Sequence, residues 1–142
     1  MLKRLLAVRA HSLPADLALL LIRLVAGTAF VLHGWSKIQN PFHWGEGFAP
    51  APLLALAAVS EFGGGIAWAL GALTRLASVG IACTMATAFY MHTFMHGDPF
   101  VPLEPKLVPT SEPAAIYFCL ALVLMTLGPG RISADAKLFG RK

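Results

Sequence analysis

The stretch Ser60-Glu61-Phe62-Gly63-Gly64-Gly65-Ile66-Ala67-Trp68-Ala69-Leu70-Gly71-Ala72-Leu73-Thr74-Arg75 constrains this chain more than any other. It is an apolar run that holds one carboxylate, three consecutive glycines and a closing arginine. In water it would be a poor helix, because each interior glycine costs about 1 kcal/mol relative to alanine. In a bilayer the same residues are an asset. Small side chains let neighbouring helices approach closely, and Gly63, Ala67 and Gly71 recur at a spacing of four, with Gly64 and Gly65 between them. An acid inside such a segment is costly and marks a candidate functional site. Glu61 therefore needs a partner from elsewhere in the chain.

Composition supports the membrane reading. Of 142 residues, 57% are hydrophobic and 13% charged, whereas an ordinary globular domain carries about 25% charged residues. A spanning helix takes about 20 mostly apolar residues. The apolar runs predict spans over about 15–37, 52–74, 76–95 and 112–127, within one domain covering 1–142. The expected fold is all-α, a four-helix membrane bundle with short loops. The net charge of +4 is not a nucleic-acid signal, because the basic residues cluster near span ends. Cys83 and Cys119 sit in apolar runs with no CxxC, which gives no support to a thioredoxin-like or zinc site. The basic start from Met1 to Ala10 could open a signal peptide. The apolar run after it is long, holds Arg23 and lacks a clear cleavage site, so it is expected to be retained.

Charge asymmetry predicts the orientation. Lys3, Arg4, Arg9, Arg75, Arg131, Lys137, Arg141 and Lys142 fall on one side, and only Lys37 and Lys106 on the other. The positive-inside rule puts both termini in the cytoplasm. The loops over 38–52, which carries His43, Trp44 and Glu46, and 97–111, which is rich in proline, then face outward. The expected location is a bacterial cytoplasmic (inner) membrane, crossed several times.

Two polar constellations stand out. Arg23 is eight residues above the inner end of the first span, ~12 Å at 1.5 Å per residue. Glu61 lies about nine residues below the outer end of an antiparallel second span, ~16 Å above the inner face of a ~30 Å core. These depths predict a buried Arg23–Glu61 pair, which either fixes helix register or holds a headgroup, a quinone or a proton. The second constellation is near the outer ends. His33, Lys37 and Glu112 are candidates for a quinone or small-ligand pocket. His92 and His96, four apart on one helix face, are candidate ligands for a metal or haem. The alternative for this group is a set of ordinary interfacial polar residues.

Taken together, these residues resemble the DoxX family of small four-helix membrane proteins. The first span, with Arg23-Leu24-Val25-Ala26-Gly27, Phe30, His33-Gly34 and Lys37, is similar to the family's opening pattern. Glu61 with Gly64, Gly71 and Thr74-Arg75 is similar to its second-helix pattern. Glu112, then Gly128-Pro129-Gly130-Arg131 with Ser133 and Asp135, is similar to its closing pattern. The resemblance implies association with redox systems, either as a quinone-reducing subunit of thiosulfate oxidation or as a membrane partner of thiol- and superoxide-handling enzymes. The matching positions would be Arg23, His33, Lys37, Glu61, Arg75 and Glu112. The expected role is a redox-linked or quinone-interacting accessory subunit of a membrane oxidoreductase complex, with no independent catalytic motif. Two alternatives stay open: a purely structural subunit, and a small transporter or metal-handling protein. Expected partners are membrane lipid and either other membrane-protein subunits or further copies of the chain; nucleic acid is not expected.

Overall fold

The computed structural model describes residues 7–45, 47–102 and 108–140. Lys3, Arg4, Glu46, Lys106, Arg141 and Lys142, used above, lie outside the described residues. The described chain is helical, with no strand. Helix α1 spans Leu13–Gln39, α2 Ala51–Leu70, α3 Thr74–Tyr90 and α4 Glu112–Leu127, with a short α5 over Ala134–Phe139. A π-helical turn over Met91–Met95 extends α3. Of these helices, α1 and α2 are long and apolar enough to cross a membrane. The predicted second span, 52–74, is shorter in the structure. Gly71 ends α2 in the left-handed conformation, at φ 67°. Its N–H bonds the Trp68 carbonyl and that of Ala72 bonds Ala67, a closure that glycine makes without a Cβ penalty.

Side chains are distributed inside out relative to a soluble protein. Leu21, Val25, Leu32, Leu56, Val59, Leu76 and Ile116 are exposed, whereas Asp16, Arg23, Glu61, Thr74, Ser78 and Asp135 are buried. Water would penalise that apolar surface, and lipid does not. The interior is tied together by aromatic and hydroxyl groups. Phe30 meets Trp68 and Tyr117 edge-on, at centroid distances of 5.5 and 4.9 Å. Trp68 is fully buried and donates its indole N–H to Ser78 Oγ at 3.0 Å; Ser78 in turn donates to the Thr74 carbonyl.

Glycines set the helix register. A Cβ on Gly34 would lie 2.5 Å from the Phe62 backbone nitrogen, and one on Gly65 would lie 2.7 Å from that of Val31. Gly27 is equally close to the backbone of Gly65 and Ala69. The α1–α2 contact is thus backbone on backbone at Gly27, Gly34 and Gly65. Gly64 faces Ile81 of α3. The predicted stripe beginning at Gly63 is corrected: the nearest atom to a Cβ there is Val59 of the same helix, at 4.0 Å. Gly63 turns away from neighbouring helices.

This register sets Lys37 beside Glu61 and Arg23 beside Gly71. By the Gly34–Phe62 register Lys37 is level with Val59, so α2 continues about eight residues, or ~12 Å at 1.5 Å per residue, beyond that level. Helix α4 shares the level of α1, since Tyr117 meets Phe30 and the Leu127 carbonyl meets His11. The α1/α4 pair is displaced toward one end of the molecule and the α2/α3 hairpin toward the other.

Candidate functional site

Each end of this staggered arrangement carries a polar cluster. At the end shared by the termini, the segment after α4 wraps around the inner part of α1. Arg23 donates to the carbonyls of Pro129, at 2.9 Å, and Ile132, at 2.8 Å. Asp16 is buried, accepts the Arg131 backbone N–H at 2.8 Å and pairs with the Arg131 guanidinium. Gly130, at φ 78°, leaves room for this contact, because a Cβ there would approach Asp16 Oδ1 at 3.0 Å. Ser133 caps α5 by accepting the Ala136 N–H. Asp135 accepts the backbone N–H groups of Leu73 at 2.7 Å and Thr74 at 3.0 Å. It thereby caps α3 from 61 residues away, over a turn in which Leu73 is left-handed at φ 48°. Val8 N–H bonds the Gly140 carbonyl, joining the two terminal segments. The Gly128-Pro129-Gly130-Arg131 motif with Ser133 and Asp135 is a clasp that closes this end.

The predicted Arg23–Glu61 pair is replaced by a different pairing. Glu61 is bound by Lys37, whose Nζ lies 2.7 Å from both carboxylate oxygens. Arg23 is occupied by the carbonyls of the clasp. The depth estimate started α2 level with the end of α1, and the glycine register, with Gly34 at Phe62 and Gly65 at Val31, shifts α2 by about seven residues. The Glu61 side chain is 5% exposed and that of Lys37 25%. Trp44 covers the lysine, with its ring centroid 4.5 Å from Nζ, and anchors by donating its indole N–H to the Leu54 carbonyl at 2.9 Å. The loop after α1 thus folds over the pair. The chemistry here is that of a shielded ion pair with one face toward the surface.

Of the remaining outer candidates, His33 is exposed on α1 and Glu112 is half-buried in the first turn of α4. Between these helices, which touch only lightly, runs a groove of about 460 Å³ lined by Leu21, Ile22, Val25, Ala26, Ile116, Tyr117 and Leu120. His33 is seven residues beyond Ala26 and Glu112 is four before Ile116. Both therefore continue the two groove-lining faces, at one level given the Phe30–Tyr117 contact. Lys37 is drawn away from this pair by Glu61.

His92 and His96 do come together, with ring centroids 5.9 Å apart. Asp98 joins them, with Oδ2 2.6 Å from His92 Nδ1 and 4.0 Å from His96 Nδ1. Arg75 is at the clasp end, with its guanidinium beside Gly128. Cys83 and Cys119 are free and exposed.

Sequence reasoning assigns no partner to Asp16, Asp98, Asp135 or Trp44, and of these it names only Asp135, in the closing pattern, and Trp44, in the loop over 38–52. A signal existed for two of them. His96-Gly97-Asp98 places a carboxylate two residues beyond an i,i+4 histidine pair, and Ser133 ahead of Asp135 is a helix-start pattern. Nothing local marks Asp16, whose partner Arg131 is 115 residues away; Trp44 meets Lys37 and Leu54, seven and ten residues away, only once the loop folds back.

An apolar exterior, polar groups clustered inside and at the ends, and glycine-mediated backbone contact define a helical membrane protein. The chain belongs to the DoxX family, whose model matches residues 18–96, more than half of its length. It is also 33% identical over 122 residues to a Haemophilus influenzae protein described as uncharacterized, an alignment covering 83% of this chain and 88% of that protein. No solved structure matches.

Proposed function

We propose that this chain is a multi-pass protein of a bacterial cytoplasmic membrane, a four-helix bundle with both termini in the cytoplasm, acting as a quinone-interacting accessory subunit of a membrane oxidoreductase. The observation that carries the reading is the α1/α4 groove with its apolar walls; helical spacing puts His33 and Glu112 on the same two helix faces, beyond its lining residues. Such walls suit an isoprenoid tail, while an imidazole and a carboxylate supply the hydrogen bonds and proton exchange that a quinone headgroup needs. Quinone fits this donor set, and a bound quinone would carry electrons between partner subunits and the lipid pool. His33 would orient one headgroup oxygen, and Glu112 would hold or release a proton beside it. Haem has no comparable support, since His33 and the third-helix histidines belong to separate clusters.

The multi-pass reading is supported by side-by-side packing. Helix α3 with its π turn and α4 run alongside α1 and α2 and carry the same exposed apolar belt. The inward orientation is supported by Arg9, Arg75, Arg131 and Lys137 at the clasp end. Single cysteines at Arg9 and Phe48, in a background lacking Cys83 and Cys119, should react with an impermeant maleimide from opposite sides of the membrane.

The functional test is native mass spectrometry, with lipid extraction, of the chain isolated gently from its own membranes. Bound quinone is expected, and Val25→Trp, at an exposed position of the groove wall, should remove it. Glu112→Gln should weaken retention while the protein still assembles. A chain that carries only phospholipid in the groove overturns the quinone reading. If other subunits co-purify at the same time, that outcome supports the purely structural role instead.

A further inference from the structure

The tip of the α2/α3 hairpin carries a feature that the quinone reading does not use. At Met91–Met95 the α-helical hydrogen-bond pattern gives way to a π turn, in which His96 N–H bonds the Met91 carbonyl at 2.9 Å. Such turns are rare and recur at functional sites, because the inserted residue re-aims the side chains around it. The chain then folds back, and Asp98 N–H bonds the His92 carbonyl at 2.8 Å. These two main-chain bonds bring Asp98 beneath both imidazoles. One ligand atom from each of His92, His96 and Asp98 lies within 4.8 Å of the others.

We propose that His92, His96 and Asp98 form a binding site for a divalent first-row transition ion of the zinc class. Two imidazoles and one carboxylate are a ligand set typical of such ions, and the nitrogens disfavour magnesium and calcium. Bonds of about 2.0–2.2 Å to each ligand imply ligand separations near 3.3 Å for a tetrahedral ion. The His92–Asp98 pair must open slightly from 2.6 Å and the His96–Asp98 pair close from 4.0 Å. Rotation of the half-exposed His96 closes the second pair, and a small rotation of the part-exposed His92 opens the first. His92 Nδ1 and Asp98 Oδ2 are in direct hydrogen-bond contact. An ion binding here takes up both atoms as ligands, and the carboxylate balances part of its charge. Three protein ligands leave further positions for water or an incoming ligand, the pattern of an open site and not a closed structural one. The site sits at the end of α3 that the charge asymmetry assigns to the outside, where ions can enter directly.

The test is zinc titration of the untagged full chain, stripped with a chelator and held in detergent, in competition with a fluorescent zinc indicator. One equivalent should bind at micromolar affinity or better, and magnesium should not compete. Asp98→Asn keeps the shape of the carboxylate and should weaken zinc at least tenfold; His96→Gln should do the same. His11→Gln, at the opposite end, should bind as the parent does. His96 is exposed, so its replacement leaves the helices intact, which circular dichroism verifies. With copper(II) as a second probe, electron paramagnetic resonance should report two coordinating imidazole nitrogens, falling to one in His96→Gln. Absence of saturable zinc binding, or unchanged affinity in Asp98→Asn and His96→Gln, overturns the proposal. Neither outcome bears on quinone retention in the α1/α4 groove.

Discussion

Lys37 and Glu61 form a two-pronged ion pair across the contact between α1 and α2, with both N–O distances at 2.7 Å. They meet where α1 ends against the flank of the longer-reaching α2. The pair exists because Gly34 lets the α1 backbone touch Phe62, one residue from Glu61. Removing one partner strands a charge that is nearly out of solvent, whereas removing both does not. Lys37→Met should therefore cost about 2–4 kcal/mol, somewhat below the full cost for a buried pair because the lysine keeps partial exposure. Lys37→Met combined with Glu61→Leu should recover most of that loss. Thermal unfolding of the three variants in lipid nanodiscs measures this. A double variant no more stable than Lys37→Met would mean that the pair is not what the two groups contribute.

Gly34 and Gly63 separate close packing from mere glycine content. Gly34→Ala drives a methyl into the Phe62 backbone, and the helices must part, at a cost of about 1–3 kcal/mol. Gly63→Ala meets nothing outside its own helix and gains up to about 1 kcal/mol of helix propensity. Opposite signs are expected in the same nanodisc unfolding experiment. Equal destabilisation by the two substitutions would refute the assignment of the α1–α2 contact to Gly27, Gly34 and Gly65.

Asp135 holds the α2–α3 turn from outside it. Asp135→Ala deprives the N–H groups of Leu73 and Thr74 of their acceptor, and Thr74 is fully buried. A loss of about 2–4 kcal/mol follows from two unmade bonds, one of them fully inside. Leu73→Gly in the same background should return about 1 kcal/mol, because it relieves the left-handed backbone at that position. Amide hydrogen exchange over 71–76 should accelerate in Asp135→Ala and reveal whether the damage is local to the turn.

Arg23 reads two carbonyls with one guanidinium fork. Lysine carries the same charge on a point donor and cannot span both. Arg23→Lys should cost about 1–3 kcal/mol and loosen the clasp, detected as faster proteolysis after Leu127. Glu61 should be indifferent to the change, since the two residues do not touch. Strong non-additivity between Arg23→Lys and Glu61→Gln in a double-mutant cycle would contradict the separation of the two sites.

Run length and side-chain chemistry, which need no third dimension, determined much of this protein. They identify the membrane class, helices whose bounds differ from the structure mainly at the α2–α3 turn, the family, and the placing of His92 and His96 on one helix face. Helices are local objects, and their ends are written in nearby glycines and prolines such as Gly71 and Pro113. Which polar groups meet is not local. It depends on how far one helix slides along another, and a slide of about seven residues changes no hydropathy value. Gly27, Gly34 and Gly65 decide that slide by permitting backbone contact at one register. Through it Glu61 receives Lys37 in place of Arg23, and Arg23 is left to the carbonyls of a clasp assembled from residues more than a hundred positions away.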